Sequence, residues 1–126
     1  MTTDSIVAVV DDESPVRTML GRVLRTAGYR VTPFAAGEDL LASLQMQPLA
    51  CVLLDVHMPG LTGLEVHARL GAARCDVPVV FITASDHAEI DTAARKLAAR
   101  LLRKPFSSDE LVQAVGVAIA DHRAGA

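Results

Sequence analysis

Residues 6–28 read IVAVVDDESPVRTMLGRVLRTAG. The first five are apolar and mostly β-branched, which is typical of a buried strand. Ser14 and Pro15 then resemble a helix N-cap followed by a first-turn proline, and Gly28 is well placed to end the helix. The apolar residues between them recur at helical spacing and predict an inner face of Val16, Met19, Leu20, Val23, Leu24 and Ala27. This stretch therefore predicts one strand, an acidic loop and one helix.

The same unit recurs along the chain. Strands are predicted at residues 30–34, 51–54 and 79–82, with a shorter strand around Leu101 and Leu102. Four apolar helical faces lie between and after these strands. The second helix has Leu40, Leu41 and Leu44 before Pro48, and the third has Val66 and Leu70 after a loop at 56–63. The fourth has Ile90, Ala93, Ala94 and Leu97, and the last, which opens with a Ser107–Glu110 capping box, has Leu111, Val112, Val115 and Ile119. Five βα units predict an α/β fold: a doubly wound, three-layer sandwich with helices on both faces of a parallel sheet.

Composition narrows the function. A chain of 126 residues, 51% of them hydrophobic, matches a single domain over residues 1–126, with about 120–126 as a tail or linker stub. Its net charge of −3 argues against direct nucleic-acid binding. Cys51 and Cys75 lack zinc-ligand spacing and are predicted to be buried, reduced thiols. The sequence shows neither a leader nor a membrane-length apolar run, so a cytoplasmic protein is expected.

Polar residues follow four of the predicted strands. Asp11 and Asp12 follow the first, Asp55 the third, Thr83 the fourth and Lys104 the fifth. Alone, the acidic pair indicates a turn, the threonine a β-former and the lysine a solvated charge. Because doubly wound sheets bind ligands at the carboxyl ends of their strands, the joint pattern predicts one site.

The residue types at these strand ends favour phosphoryl transfer. If the first and third strands are neighbours, three carboxylates converge and repel one another, and a cation relieves that repulsion. Since the donors are few hard oxygens, Mg²⁺ (or Mn²⁺) is expected and zinc or caged calcium is not. A metal, a hydroxyl and a lysine would position and neutralise a phosphoryl group, with Asp55 as the nucleophile. The residues His57, His67, His87 and His122 are not spaced as metal ligands.

Four motifs carry a family resemblance. VVDDE at 9–13, LLDVHMPG at 53–60, ITAS at 82–85 and KPF at 104–106 resemble the receiver domain of two-component response regulators. The resemblance implies a flavodoxin-like (βα)5 fold with strand order 2-1-3-4-5. It also implies site roles. Asp55 would be the phosphoacceptor and, with Asp11, Asp12 and the His57 carbonyl, a metal ligand, while Thr83 and Lys104 would contact the phosphoryl oxygens. The Lys104–Pro105 bond would be cis, the small Ala84 would leave the phosphate path open, and the side chains of His57 and Ser85 would influence phosphoryl loss.

The resemblance further implies a function. The domain would be a phosphorylation-activated signalling switch. A histidine kinase or histidine phosphotransfer protein would phosphorylate it, and an output domain or protein would recognise the phosphorylated form. Two departures from the family pattern concern how phosphorylation would change the surface that a partner recognises. Leu101 replaces the aromatic residue common in the fifth strand, and residues 97–100 replace the usual Ala-Gly turn. The basic residues Arg95, Lys96, Arg100, Arg103 and Lys104 predict either a solvated face or one that binds an acidic partner or a second copy.

Three other functions stay open. A constitutive adaptor would keep the receiver shape without phosphorylation, which the intact acid, threonine and lysine set argues against. A phosphatase working through an aspartyl phosphate would want a second acid where His57 stands, so no enzyme beyond self-phosphotransfer and autodephosphorylation is expected. A flavin-binding module would want glycines and hydroxyls where Asp11, Asp12 and Glu13 stand.

Overall fold

The computed structural model describes residues 5–46, 48–83, 92 and 100–125. Its strands are β1 (Ile6–Val10), β2 (Arg30–Phe34), β3 (Cys51–Asp55), β4 (Val79–Thr83) and β5 (Arg100–Arg103). The helices described are α1 (Ser14–Thr26), α2 (Gly37–Ala42), α3 (Gly63–Ala72) and α4 (Ser108–Ala124). The predicted helix face of Ile90, Ala93, Ala94 and Leu97 lies outside the described residues. None of the helices in the described ranges is long and apolar enough to span a bilayer.

All strands are parallel and lie in the order β2-β1-β3-β4-β5, so the predicted topology is confirmed. The three inner strands are buried along their whole length, whereas β2 and β5, at the edges, are partly exposed. This explains why β1, β3 and β4 are unbroken apolar runs, since helices cover both of their faces.

Alternate strand residues build two separate cores. Val7, Leu53 and Ile82 point to one face and pack with residues of α1 and α4. Val10 and Phe81 point to the other face and pack with residues of α2 and α3. A three-layer sandwich results, as predicted, with the carboxyl ends of the strands meeting along one rim.

Some local predictions need correction. The N-cap of α1 is Glu13 in extended conformation, and Ser14 is already the first helical residue. Met19, expected on the inner face, is 46% exposed because it lies beside a groove between α1 and α4. Leu44 lies beyond the end of α2, although it still packs on the α2–α3 core. Cys51 and Cys75 are free thiols as expected, but Cys75 is only half-buried.

The predicted capping box of α4 is present. The Ser107 hydroxyl accepts from the Glu110 amide at 3.1 Å, and the Glu110 carboxylate accepts from the Ser107 amide at 2.8 Å. A second box, which sequence reasoning missed, opens α3 with Thr62 and Glu65. Both boxes satisfy N–H groups that a helix start leaves without partners, a contribution of about 1 kcal/mol each.

Candidate functional site

Three carboxylates meet where β1 and β3 end. Val10 lies in register with Leu54, so Asp11 and Asp55, the next residues, continue the two neighbouring strands side by side. Asp11, Asp12 and Asp55 each offer an oxygen atom, and these atoms lie within 4.8 Å of one another. Asp11 and Asp55 are buried, whereas Asp12 is exposed. The convergence predicted from the strand ends is thus found.

Asp11 is held from several sides. Its amide donates to the Phe34 carbonyl at 3.1 Å, which extends the β1–β2 ladder by one bond. Its Oδ1 accepts from the Glu13 amide at 2.8 Å, and its backbone carbonyl accepts from Arg17 Nη1 at 2.6 Å. Its Oδ2 is buried and has no hydrogen-bond donor among the described residues. An unsatisfied buried acceptor at this point is costly unless something else binds it.

Asp55 is fixed by the loop and helix that follow it. The side chain is 5% exposed, and its Oδ1 accepts from the His57 amide at 3.1 Å. The start of α3 packs directly on its backbone, because a Cβ added at Gly63 would lie 2.6 Å from the Asp55 carbonyl oxygen. Close packing of this glycine therefore sets where the β3–α3 loop can run.

Thr83 and Lys104 complete the rim on the other side of Asp55. The Val56 amide donates to the Ile82 carbonyl and the Lys104 amide to the Thr83 carbonyl, both at 2.9 Å, so the ends of β3, β4 and β5 are tied together. Thr83 is fully buried, and Lys104 is half-buried. The Lys104–Pro105 bond is cis, as expected. The neighbouring Ala84 and Ser85 lie outside the described residues.

Burial and charge set the protonation of the acids. Burial raises the pKa of Asp55 to about 6, and the Asp11 and Asp12 carboxylates push it in the same direction, while the His57 amide and the Lys104 ammonium oppose them. Burial likewise raises the pKa of Asp11, against the Glu13 amide and Lys104. Desolvation thus outweighs the Lys104 ammonium at both carboxyl groups.

The acid cluster fits a hard divalent cation. Its side-chain ligands are carboxylate oxygens, and among the described residues none donates a hydrogen bond to the buried Asp11 Oδ2. Asp12 faces solvent, where bound water could complete the coordination shell. Mg²⁺ prefers oxygen ligands and keeps several waters, whereas zinc sites usually include histidine nitrogen or cysteine sulfur. The metal-ligand role expected for the His57 carbonyl stays a prediction.

Comparison with known proteins identifies the family. Residues 7–116 match the response regulator receiver domain. This chain belongs to that family. It is 35% identical to the transcriptional regulatory protein FixJ of Bradyrhizobium diazoefficiens, over 94% of this chain and 58% of FixJ. It is 34% identical to nodulation protein W of the same organism, over 90% of this chain and 50% of that protein. The chain therefore spans 50% to 58% of the length of these two curated relatives.

Solved structures agree with the fold. The structure titled FixJ-N superposes with a TM-score of 0.87 at 29% identity, covering 93% of the receiver and 94% of that chain. Full-length FixJ from B. japonicum superposes with a TM-score of 0.89 at 34% identity, over 96% of the receiver and 60% of that chain. Both the family and the flavodoxin-like fold predicted from the four motifs are confirmed.

Two observations concern Leu101 and the basic residues in and near β5. Leu101 is half-buried, lies in register with Phe81 and packs on the α2–α3 core, so an aliphatic residue fills the position that is aromatic in many receivers. Of the basic stretch, Arg100 pairs with Asp121, Arg103 is exposed, and Arg95 and Lys96 lie outside the described residues. Arg100 thus pairs within the chain while its side chain stays 42% exposed to solvent.

Sequence reasoning missed the contacts that orient the acids. The hydrogen bond from Arg17 to the Asp11 carbonyl spans a strand end, a loop and the first turn of α1. Because the bond joins a strand end to a helix across a loop, neither the helical nor the strand repeat predicts it. The Glu13–Asp11 bond is different, because an aspartate that accepts from the amide two residues on is a recognised turn former, and that signal was available.

Proposed function

We propose that this receiver domain takes a phosphoryl group onto the Asp55 carboxylate in a Mg²⁺-dependent reaction. The observation that carries the proposal is the convergence of Asp11, Asp12 and Asp55, whose oxygen atoms lie within 4.8 Å of one another. Two of these acids are buried and Asp11 Oδ2 has no donor in the described part of the chain, which supports a bound cation. Lys104 supplies the positive charge that a phosphoryl group would meet on the β5 side.

In the proposed reaction Asp55 attacks the phosphorus of a phosphohistidine or a small phosphodonor. An O–P bond forms to an Asp55 oxygen, the bond from phosphorus to the donor atom breaks, and the bonding electron pair leaves with the donor, which departs as neutral imidazole from a phosphohistidine protonated on its other ring nitrogen or as acetate from acetyl phosphate. The Asp55 carboxylate is oriented by the His57 amide, and Lys104 and Thr83 receive the phosphoryl oxygens. Bound Mg²⁺ would neutralise charge on those oxygens, with Asp11, Asp12 and the His57 carbonyl holding it.

The proposed role is that of a switch. Phosphorylation adds charge and acceptor oxygens at the rim and would shift an existing equilibrium of the loops after β3 and β4. A histidine kinase or histidine phosphotransfer protein would donate the phosphoryl group, and the reaction would take place in the cytoplasm. An output domain or protein would read the changed surface, in keeping with FixJ being named a transcriptional regulatory protein, and a second copy of the domain is a further proposed partner.

We do not propose that this site hydrolyses external phosphoesters. His57 stands two residues after Asp55, where a phosphatase of this chemistry would place a second acid, and its amide is already engaged in holding Asp55. The chemistry proposed is limited to self-phosphotransfer and the subsequent loss of the phosphoryl group by hydrolysis.

Intact-mass measurement tests the proposal. Incubation with acetyl phosphate or phosphoramidate and Mg²⁺ is expected to add the mass of one phosphoryl group to the wild-type chain, and chelation by EDTA is expected to prevent it. Asp55→Asn should stay unlabelled, while Asp109→Asn, an exposed acid in the first turn of α4, should label like wild type. Equal labelling of Asp55→Asn and wild type would overturn the assignment of the acceptor.

A further inference from the structure

Arg17 reaches back from the first turn of α1 to the acid cluster. Its Nη1 donates to the backbone carbonyl of Asp11 at 2.6 Å, and its side chain is half-buried along this path. Its own amide donates to the Glu13 carbonyl at 2.9 Å, as the first helical bond of α1. One residue thus connects the start of α1 to the peptide between Asp11 and Asp12.

That peptide controls the direction of the exposed acid. The Asp11 amide and Oδ1 are fixed by Phe34 and Glu13, which position the Asp11 side chain. The Asp11 carbonyl is the group that turns with the Asp11–Asp12 peptide plane, and Arg17 holds it. Asp12 is exposed, so little packing restrains it. Without the guanidinium donor the carbonyl could turn to water, and Asp12 would spend less time within 4.8 Å of Asp11 and Asp55.

Arg17 acts on the acid cluster by orienting a backbone carbonyl and not through its charge. The cation that lowers the pKa of both buried carboxyl groups is Lys104, from the opposite side of the site. Arg17 donates to an uncharged carbonyl and has a rigid, planar donor group that keeps its direction. Groups that orient metal ligands in this way commonly change metal affinity by about 10-fold to 100-fold when removed.

We propose that Arg17 is a positioning residue for the Mg²⁺-binding acids, acting through the Asp11 carbonyl to hold Asp12 in the ligand arrangement. The proposal rests on the magnesium site of the proposed function. It concerns affinity for the ion, and it requires no direct contact between Arg17 and the metal or the phosphoryl group.

Arg17→Met tests this role, because methionine keeps an aliphatic stem of similar length and removes the donors. Arg22→Met is the matched control, since Arg22 is an exposed arginine on the same helix. The Mg²⁺ dissociation constant is measured on the full chain by amide shifts in a two-dimensional NMR titration. Arg17→Met is expected to raise it about tenfold, and Arg22→Met less than about twofold.

The sign of the effect and its salt dependence together distinguish positioning from charge, because loss of the Arg17 charge alone would strengthen Mg²⁺ binding. Between about 0.1 M and about 1 M KCl the screening length falls from roughly 10 to 3 Å. The ratio of the dissociation constants of the two variants, at least about fivefold, should persist at high salt if Arg17 acts through its hydrogen bond. A ratio that collapses to one at high salt would overturn the positioning role.

Two further outcomes separate this inference from the function it rests on. If wild type binds Mg²⁺ and both variants bind it equally, the inference on Arg17 is overturned and the magnesium site stands, even where Arg17→Met lowers the free energy of unfolding. If wild type shows no Mg²⁺ binding while Asp55 is still labelled, the proposed metal site and the role of Arg17 fall together.

Discussion

The two ends of the parallel strands carry charged side chains in opposite settings. At the carboxyl end Asp11 and Asp55 are buried, and the pKa of each is raised. At the amino end Arg100 pairs with Asp121 in an exposed ion pair, and His122 Nε2 lies 3.6 Å from Asp76 Oδ2. Exposed pairs contribute at most about 1 kcal/mol, whereas buried charges without a partner destabilise a fold.

The difference indicates that this receiver gives up stability at the site of its proposed phosphorylation. The amino end is built from interactions that water could replace at little cost. The carboxyl end holds groups that water and protein satisfy only in part, and a cation or a phosphoryl group would complete them. Substitutions of the same kind at the two ends should therefore have different and even opposite effects.

Two glycines provide the largest expected contrast. At the carboxyl end a Cβ on Gly63 would lie 2.6 Å from the Asp55 carbonyl oxygen and 2.8 Å from Val56 Cα, and neither backbone atom can move without shifting β3. Gly63→Ala should therefore lower the free energy of unfolding by about 3 kcal/mol. At the amino end Gly28 has open space but φ of 102°, so Gly28→Ala should lower it by about 1 kcal/mol.

Urea unfolding monitored by circular dichroism measures both variants. A Gly63→Ala protein as stable as Gly28→Ala would show that the β3–α3 junction yields easily. In that case the placement of Asp55 would not depend on close packing of α3, and the contrast between the two ends would be weakened at its strongest point.

Neutralising one acid at each end should give effects of opposite sign. Asp55→Asn removes a buried charge while its amide oxygen can still accept from His57, so without metal it should raise the free energy of unfolding by about 2 kcal/mol at neutral pH. Asp121→Asn breaks the exposed pair with Arg100 and should lower it by at most about 1 kcal/mol. Unfolding in EDTA measures both, and a loss of stability in Asp55→Asn would contradict the account of the carboxyl end.

The pH dependence of the free energy of unfolding, measured without metal, should also reflect the buried acids at the carboxyl end of the strands. The pKa of Asp55 is raised from 3.8 to about 6 in the folded state, so the folded protein binds a proton there before the unfolded chain does. Stability contributed by this group is present at low pH and is lost as pH rises through 6. Acidification from about pH 7.5 to about pH 5 in EDTA should therefore raise the free energy of unfolding by about 1 kcal/mol.

Asp55→Asn serves as the control for that pH series. It should remove most of the rise, and the remainder would come from Asp11, whose pKa is raised by the same burial. A wild-type protein whose stability falls steadily over this pH range would mean that other groups dominate, and that burial of Asp55 has little thermodynamic weight.

The sequence predicted much of the carboxyl end because the relevant signals are local. Asp55 and Thr83 are the last residues of buried strands, which apolar runs reveal, and the parallel sheet brings the strand ends together. The strand order itself came from the family resemblance. The Ser107 capping box was readable for the same local reason, and the Thr62 box, with Glu65 three residues on, was equally readable but overlooked.

Contacts between distant residues were beyond the sequence. Arg100 and Asp121 are 21 residues apart and meet only because α4 folds back beside β5. Met19 has the spacing of a core residue, and only the packing of α1 beside α4 shows that it lies at a groove. Periodicity identifies which side of a helix is apolar, but the width of the buried strip depends on the neighbouring helix.

The smallest expected effect concerns the turn after α3, at the amino end. Arg74 has φ of 57°, a left-handed conformation in which a side chain is strained by about 1–2 kcal/mol. Arg74→Gly relieves that strain but gives the unfolded chain more freedom, worth about 0.4–1 kcal/mol, so stability should rise by about 0.5 kcal/mol. Arg69→Gly, inside α3 and also exposed, should instead lower stability by about 1 kcal/mol. Because both sites lie away from the acid cluster, labelling of Asp55 should be unchanged in both variants, and altered labelling would mean that the amino end influences the chemistry after all.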